Sequence, residues 1–513
     1  MIYDYLIKSA QRLPDKVALV CDDGRYTYAQ LQQCADSLGS ILSERGVNAG
    51  DSVIVYSDNT LASVIAFWGV VKIGAVVSFV SPLVKVEKLR YLVTDCQARA
   101  LVAENQHYDV ISEVLSTCDG IRSVFLTDGE WCESDAYDLR IERLYGEIAL
   151  NAGVCESASL SSGEEALAAI IYTSGSSGEP KGVMITHRNM LAAVHAITKY
   201  LEMKESDVVM NFLPMSFDYG LYQMIMAFSI GGCLVLERSF LYPARVLQLI
   251  DREGVTGVPC VPAIFSILIG MSRRREIAFP SVRYVTNTAD VLPVKYLEDI
   301  KRIFPNAKIY SMYGLTECKR CSYLPPVDVD RKPESVGIAI PGTHLYVVDQ
   351  SGKILEPGMV GEVVVQSDTV MKGYFGKPAE TDKVLRAVEG ISGKVLFTGD
   401  LGKFDDDGYL YLLGRMDNTL KVGGEKVAPK EVERVIANME AVVEVYVYGE
   451  KDSVLGHIVK ALVVAVDDSG LSAADILKEC NDKLESFMVP KKIVFVDSLP
   501  RTASYKVAST EIN

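Results

Sequence analysis

The chain has 513 residues, too many for one hydrophobic core, so two or more domains are expected. Hydrophobic residues make up 49% and charged residues 23%, which excludes extensive disorder, and the formal net charge of −15 excludes nonspecific binding to nucleic acid or anionic membranes. The eleven cysteines are scattered and odd in number, which fits reduced thiols in a cytoplasmic protein rather than a disulfide framework.

At the start, acidic and basic residues interrupt any apolar run between Met1 and Arg12, so no secretion signal is expected there. The first ~150 residues alternate helical periods with Val/Ile-rich runs at Asp51–Tyr56, Gly74–Phe79 and Ala98–Ala103, the look of layered α/β structure. The most membrane-like stretch, Val64 to Val84, carries Lys72 and Gly74 in its middle and predicts a buried helix, a turn and a strand; no membrane partner is expected. Cys155 to Ala166 is polar and acidic and predicts a surface connection. Strands are then predicted at Ala166–Tyr172, Val208–Phe212, Gly232–Leu236, Ser281–Val285 and Lys308–Ser311.

From about Val336 short strands such as His344–Asp349 and Gly361–Gln366 suggest a small β subdomain. The last ~100 residues predict helices at Lys430–Met439 and Ala473–Leu484 and strands at Val442–Tyr448 and Val459–Val466, a compact α+β domain. Cys318 and Cys321 form a Cys-x-x-Cys without a second pair or matching histidines. Two small residues on one segment is the simpler reading than zinc or redox chemistry.

The chemistry concentrates in a few segments. Ile171 to Val183 packs Thr173, Ser174, Gly175, Ser176, Ser177, Gly178 and Lys181 into a loop after an apolar strand. Glycines let successive N–H groups face one concavity, and the hydroxyls and lysine add donors for phosphate oxygens. It is not a Walker A loop, because Lys181 follows Pro180 and precedes Gly182. Tyr313-Gly-Leu-Thr-Glu317 offers an aromatic face for a base, a hydroxyl in Thr316 and, in Glu317, an oxygen ligand suited to Mg²⁺. Asp400, in Phe397-Thr-Gly-Asp-Leu-Gly402, can accept from both hydroxyls of a ribose diol; its plainer alternative is a capping Asp. Arg415, Asp417, Gly423-Gly424 and Pro500-Arg-Thr-Ala-Ser-Tyr-Lys506 follow.

In this order and spacing, these segments resemble the acyl-adenylate-forming superfamily of acyl-CoA synthetases, nonribosomal peptide synthetase adenylation domains and luciferases, over essentially the whole chain. The resemblance implies an α/β fold with a large N-terminal domain (1–416) of layered subdomains, and a small mobile α+β C-terminal domain (417–513) hinged at Asp417. It implies ATP and Mg²⁺ as cofactors. The loop from Thr173 to Lys181 matches the phosphate loop. Thr288, Ala289 and Tyr313 match the adenine site, and Thr316 the α-phosphate contact. Glu317 matches the metal ligand, Asp400 and Arg415 the ribose contacts, and Lys506 the lysine that bridges the reacting groups. Tyr505 departs from the family pattern, which has glycine there.

For the acid, Phe217-Asp218 resembles amino-acid-activating domains, in which this Asp pairs with the substrate ammonium. Alternatively Asp218 simply caps the following helix. The remaining pocket positions by alignment are Tyr222, Ile264, Val285, Asn287, Met312, Arg320 and Cys321, mostly apolar. An ATP-dependent ligase that loads a small or medium apolar amino acid onto the pantetheine of a separate carrier protein is therefore expected. The alternatives are an acyl-CoA synthetase for a non-amino acid and a noncatalytic nucleotide-binding protein of the same fold.

Overall fold

A computed structural model of the chain describes residues 1–22, 24–127, 140–143, 163–174, 179–416, 420–422, 425–452, 456–502 and 507–508. The fold is mixed α/β, with a large N-terminal domain and a smaller C-terminal one. Two large sheets dominate the first domain. One runs Ile338–Ala339, Ser322–Tyr323, Lys308–Tyr313, Tyr284–Asn287, Gly257–Cys260, Val208–Asn211, Cys233–Leu236, Val17–Cys21 and Gly24–Thr27. Its central strands are parallel and its borders antiparallel. The other is built on the parallel strands Val76–Val80, Ser52–Tyr56, Ala100–Ala103, Ser123–Leu126 and Arg140–Arg143.

Helix Leu61–Lys72 explains the membrane-like stretch. Every residue from Leu61 to Val71 is buried, and a capping box of Thr60 with Ser63 starts the helix. Strand Val76–Val80 follows, as expected, and is buried throughout. Among the described residues no helix is long and apolar enough to cross a membrane.

A third sheet joins Thr343–Val348, Gly361–Ser367, Lys394–Phe404, Leu385–Ala387 and Leu410–Arg415. A fourth joins Glu425–Val427, Leu420–Val422, Gly456–Ala465, Val442–Asp452 and Lys492–Phe495, with helices Pro429–Ala437 and Ala473–Lys483 contributing to its core. The chain passes from the third sheet to the fourth between Arg415 and Leu420; Asp417 lies outside the described residues.

Two expectations need correction. The strand expected at Ser281–Val285 is Tyr284–Asn287, because a turn in which Val282 N donates to the Phe279 carbonyl at 3.2 Å occupies its expected start. The loop read over Ile171 to Val183 is shorter than expected, because Lys181 to Val183 already belong to a second strand. Leu167–Ser174 and Pro180–Thr186 form an antiparallel hairpin, with Thr173 opposite Lys181 and Ser174 opposite Pro180. The short strand Gly373–Tyr374 pairs with the outer edge of that hairpin, Tyr374 opposite Val183.

Candidate active site

The site lies beyond the carboxyl ends of the parallel strands, where open α/β sheets bind their ligands. Strand Tyr284–Asn287 delivers Thr288 and Ala289, and Lys308–Tyr313 delivers Tyr313 and the turn to Glu317. Gly314 is required there: a Cβ would lie 2.3 Å from the Lys319 carbonyl oxygen, so no other residue lets the turn fold back. A cavity of about 400 Å³ opens over these ends. Thr288, Ala289, Tyr313, Asp400 and Arg415 line it from the first domain, and Lys430 and Arg434 from the second.

Tyr313 donates its hydroxyl to Asp400 Oδ2 at 2.6 Å. Burial, reinforced by that carboxylate, pushes the phenol well above its ordinary pKa, so it stays a donor. Asp400 sits directly opposite Arg415 across the Lys394–Phe404 and Leu410–Arg415 ladder, with Arg415 Nη1 3.5 Å from Oδ1. The turn just before Asp400 uses Gly399 at φ 73°. Asp400 is therefore set by sheet register and not by a capping role. Ala289 holds φ 74°, an uncommon conformation for a residue with a side chain and a sign of local strain.

The hairpin supplies Lys181, whose Nζ lies 2.9 Å from Glu380 Oε2 and 5.3 Å from the centre of the Tyr374 ring. Lys383 and Lys181 together hold the Glu380 carboxyl down to about 2. Tyr374 in turn donates to Glu317 Oε1 at 2.9 Å. One tyrosine thus bridges the hairpin lysine and the carboxylate expected to hold a metal. Thr316 is half-buried beside Glu317. Tyr374 and Glu380 were missed by sequence reasoning; the aromatic in Gly373-Tyr-Phe is the signal that was there to find.

The acid side differs from expectation. Asp218 opens helix Asp218–Ser229, where the helix dipole favours a carboxylate, and Phe217 is the cap position without a side-chain cap bond. Lys319 Nζ already meets Asp218, at 3.0 Å from Oδ2 and 2.7 Å from the carbonyl. The same ammonium lies 4.1 Å from the Tyr222 ring centre. Burial pushes Lys319 down to about 7, with Asp218 opposing that shift and Arg320 adding to it. Asp218 thus carries an internal cation where a substrate ammonium was expected. Arg320 has no carboxylate partner among the described residues; its Nη1 donates to Thr288 Oγ1 at 3.0 Å.

A pocket of about 10 Å³, the size of a single water, brings Tyr222, Met312, Lys319 and Arg320 together. Met312 also lines the large cavity. Ile264, Val285 and Cys321 line neither and are fully buried. Asn287 is buried too, donating to the Asp290 carbonyl at 3.0 Å. Cys318 and Cys321 are buried free thiols with sulfurs 3.0 Å apart, and burial pushes Cys321 well above the ordinary thiol value, an inert pair of small residues.

Ser174 ends its strand, and Gly175, Ser176, Ser177, Gly178, Asp417, Gly423, Gly424, Tyr505 and Lys506 lie outside the described residues. The two domains meet beside the large cavity. Lys430 bridges Asp290 at 2.7 Å and Glu433 at 2.8 Å, and Tyr296 donates to the Val443 carbonyl at 3.0 Å.

The family model for AMP-binding enzymes matches residues 6–375, and that for the AMP-binding enzyme C-terminal domain matches residues 431–506. The long-chain-fatty-acid–CoA ligase FadD13 of Mycobacterium tuberculosis is 30% identical over 491 residues, spanning 95% of this chain and 92% of that protein. Bacitracin synthase 2 of Bacillus licheniformis is 27% identical over 504 residues, 97% of this chain but 18% of that protein. The crystal structure of the anthranilate CoA ligase AuaEII in complex with anthranoyl-AMP superposes with a TM-score of 0.88 at 26% identity, covering 100% of this chain and 96% of that one.

Proposed function

The chain belongs to the AMP-binding enzyme family and is an AMP-forming ligase, and from that premise we propose that it adenylates a carboxylic acid without an ammonium group and passes the acyl group to a pantetheine thiol. The observation that carries the choice of acid is the buried Lys319–Asp218 pair at 3.0 Å. A substrate ammonium would have to displace a cation that the protein itself supplies.

In the first step the substrate carboxylate oxygen attacks the α-phosphorus of ATP. The new O–P bond forms as the bond to pyrophosphate breaks. Two anions must be held together, so the site's role is positioning and charge stabilisation. The Tyr313 ring would stack on adenine, beside Thr288 and Ala289. Asp400, oriented by Tyr313 and Arg415, would accept from the ribose hydroxyls. Thr173, the serines of the hairpin tip and Lys181 would hold the terminal phosphates, and Thr316 and Lys506 the α-phosphate.

Glu317 fits a Mg²⁺ ion by donor chemistry: it is a hard carboxylate near the phosphate-binding lysine, and its Oε1 is oriented by the Tyr374 hydroxyl. The ion would neutralise phosphate charge. In the second step the thiol sulfur attacks the acyl carbon, the C–O bond to AMP breaks, and the thiol proton leaves to solvent. Residues 417–513 would turn about Asp417 between the steps, bringing Gly423 and Gly424 to the thiol's approach.

CoA and a carrier protein present the same thiol. A second reading, loading of an amino acid onto a carrier protein, draws on Phe217-Asp218 and on the likeness to bacitracin synthase 2. The lowered pKa of Lys319 leaves it room, because the lysine can release its proton when an ammonium arrives. Acid-dependent pyrophosphate release with ATP and Mg²⁺ separates the two, using amino acids and their deaminated counterparts. Activity restricted to the deaminated acids is the expected result, and activity restricted to the amino forms would overturn it.

A further inference from the structure

The dry end of the acid pocket holds more positive charge than the protein neutralises. Lys319 is 3% exposed and Arg320 4%. Among the described residues Asp218 is the one carboxylate ion-paired with either. A guanidinium keeps its charge at any working pH. Among the described residues, Arg320 has neutral partners: the Thr288 hydroxyl at 3.0 Å, the Lys319 carbonyl at 3.4 Å, the Tyr219 ring 4.8 Å away and the neighbouring Tyr200 hydroxyl. Its Nε is buried with no hydrogen-bond partner among the described residues. A buried cation with unmet donors is costly to keep, and an arriving anion removes that cost.

Backbone strain points the same way. Lys319 holds φ 59°, the left-handed region uncommon for residues with side chains and a place where functional sites store strain. The small pocket beside both cations shares Met312 with the lining of the large cavity. Tyr222 and Tyr219 turn ring faces toward the cations and add no negative charge.

We propose that Lys319 and Arg320 recognise a second anionic group on the substrate, so that the enzyme activates one end of a short dicarboxylic acid while holding the other. This rests on the acid-activating reading above. The far carboxylate would complete the donors of Arg320 and share Lys319 with Asp218. Arg is suited to that role because its planar fork binds a carboxylate through two parallel hydrogen bonds.

The test is pyrophosphate release by the full-length protein with ATP and Mg²⁺ over matched acids: glutarate against valerate and 5-hydroxyvalerate, and succinate against butyrate. A site with buried cations should reject acids that leave them unmet, so kcat/KM for the diacid should exceed that for the monoacid by roughly a hundredfold or more. In Arg320→Gln that ratio should collapse toward one, chiefly through a higher KM for the diacid, and Arg320→Lys should restore part of it. Binding of a fluorescent ATP analogue checks that each variant is folded.

Equal kcat/KM for diacid and monoacid in the unaltered enzyme would overturn the inference while leaving the ligase reading intact, and this comparison needs no variant. A hydroxy acid used as well as the diacid would likewise refute an anion-reading site. If the protein binds ATP but releases no pyrophosphate with any acid, the ligase reading fails and the inference with it.

Discussion

The two halves of the cleft use charge in opposite ways. On the nucleotide side, Arg415 lines a cavity of about 400 Å³, and both it and the hairpin's Lys181 already have carboxylate partners, at 3.5 and 2.9 Å. On the acid side, Lys319 and Arg320 are buried around a space the size of one water, with a single carboxylate between them. A nucleotide must enter and leave with its phosphates, so its site keeps solvent access and exchangeable partners. An acid site that discriminates gains from dryness, where an unmet charge is a large penalty. Affinity for a common cofactor and selectivity for one acid thus fall to separate regions.

The comparison breaks most visibly if Lys319 is removed. Lys319→Met strips the buried Asp218 of that cation, and loss of about 3–5 kcal/mol of unfolding free energy is expected. The double variant with Asp218→Asn should recover most of it, measured by urea unfolding. An additive result would mean the pair is not coupled.

On the open side the expected loss includes binding. Tyr313→Phe removes the 2.6 Å donor to Asp400. A hydrogen bond to a charged group contributes about 1.5–3 kcal/mol, so folding stability should fall by up to that much, and KM for ATP should rise because Asp400 loses its orienting donor. A fall in the unfolding midpoint with unchanged KM would assign this tyrosine to the core instead.

Titration sharpens the contrast further. Folded Lys319 loses its proton near pH 7, because burial disfavours the charge, while in the unfolded chain it holds that proton to about 10.5. Between those values the unfolded state binds more protons, so the lysine's contribution makes stability rise with pH and is most unfavourable below 7. From pH 7.5 to 9 the unaltered protein should gain up to about 1.4 kcal/mol per pH unit relative to Lys319→Met. Parallel stability curves for the two proteins would rule that contribution out.

The smallest effect belongs to Glu380→Gln. It frees Lys181 from an ion pair whose carboxylate is a third exposed, so KM for ATP should shift by less than about fivefold, and less still in high salt. A large, salt-insensitive change would move Glu380 from a surface partner to an essential part of the site.

What the amino-acid order revealed divides along the same line. The nucleotide side was legible because its residues sit in short glycine-punctuated segments whose chemistry is local: Tyr313 with Glu317, and Asp400 in its turn. The buried helix Leu61–Lys72 was readable from one charged residue placed where an apolar run had to end. The acid side was not legible, because the Lys319–Asp218 contact joins residues about a hundred positions apart. It forms only when the turn after Tyr313 folds back over Gly314 onto the start of a distant helix. The hairpin was missed for a different reason: strand Pro180–Thr186 opens with Pro-Lys-Gly, residues poor in strand propensity, and its partner strand decides its structure. Arg320, among mostly apolar pocket positions, was visible in the sequence but had no assigned role, and its neighbour Lys319 was passed over.

That hairpin has a consequence for how the protein can vary. Its ladder sets Thr173 against Lys181 and zips Tyr374 to Val183 on the outer edge. A slip of one position between the strands would turn Lys181 to the opposite face and separate it from Tyr374. Register between the two strands is therefore an all-or-none property.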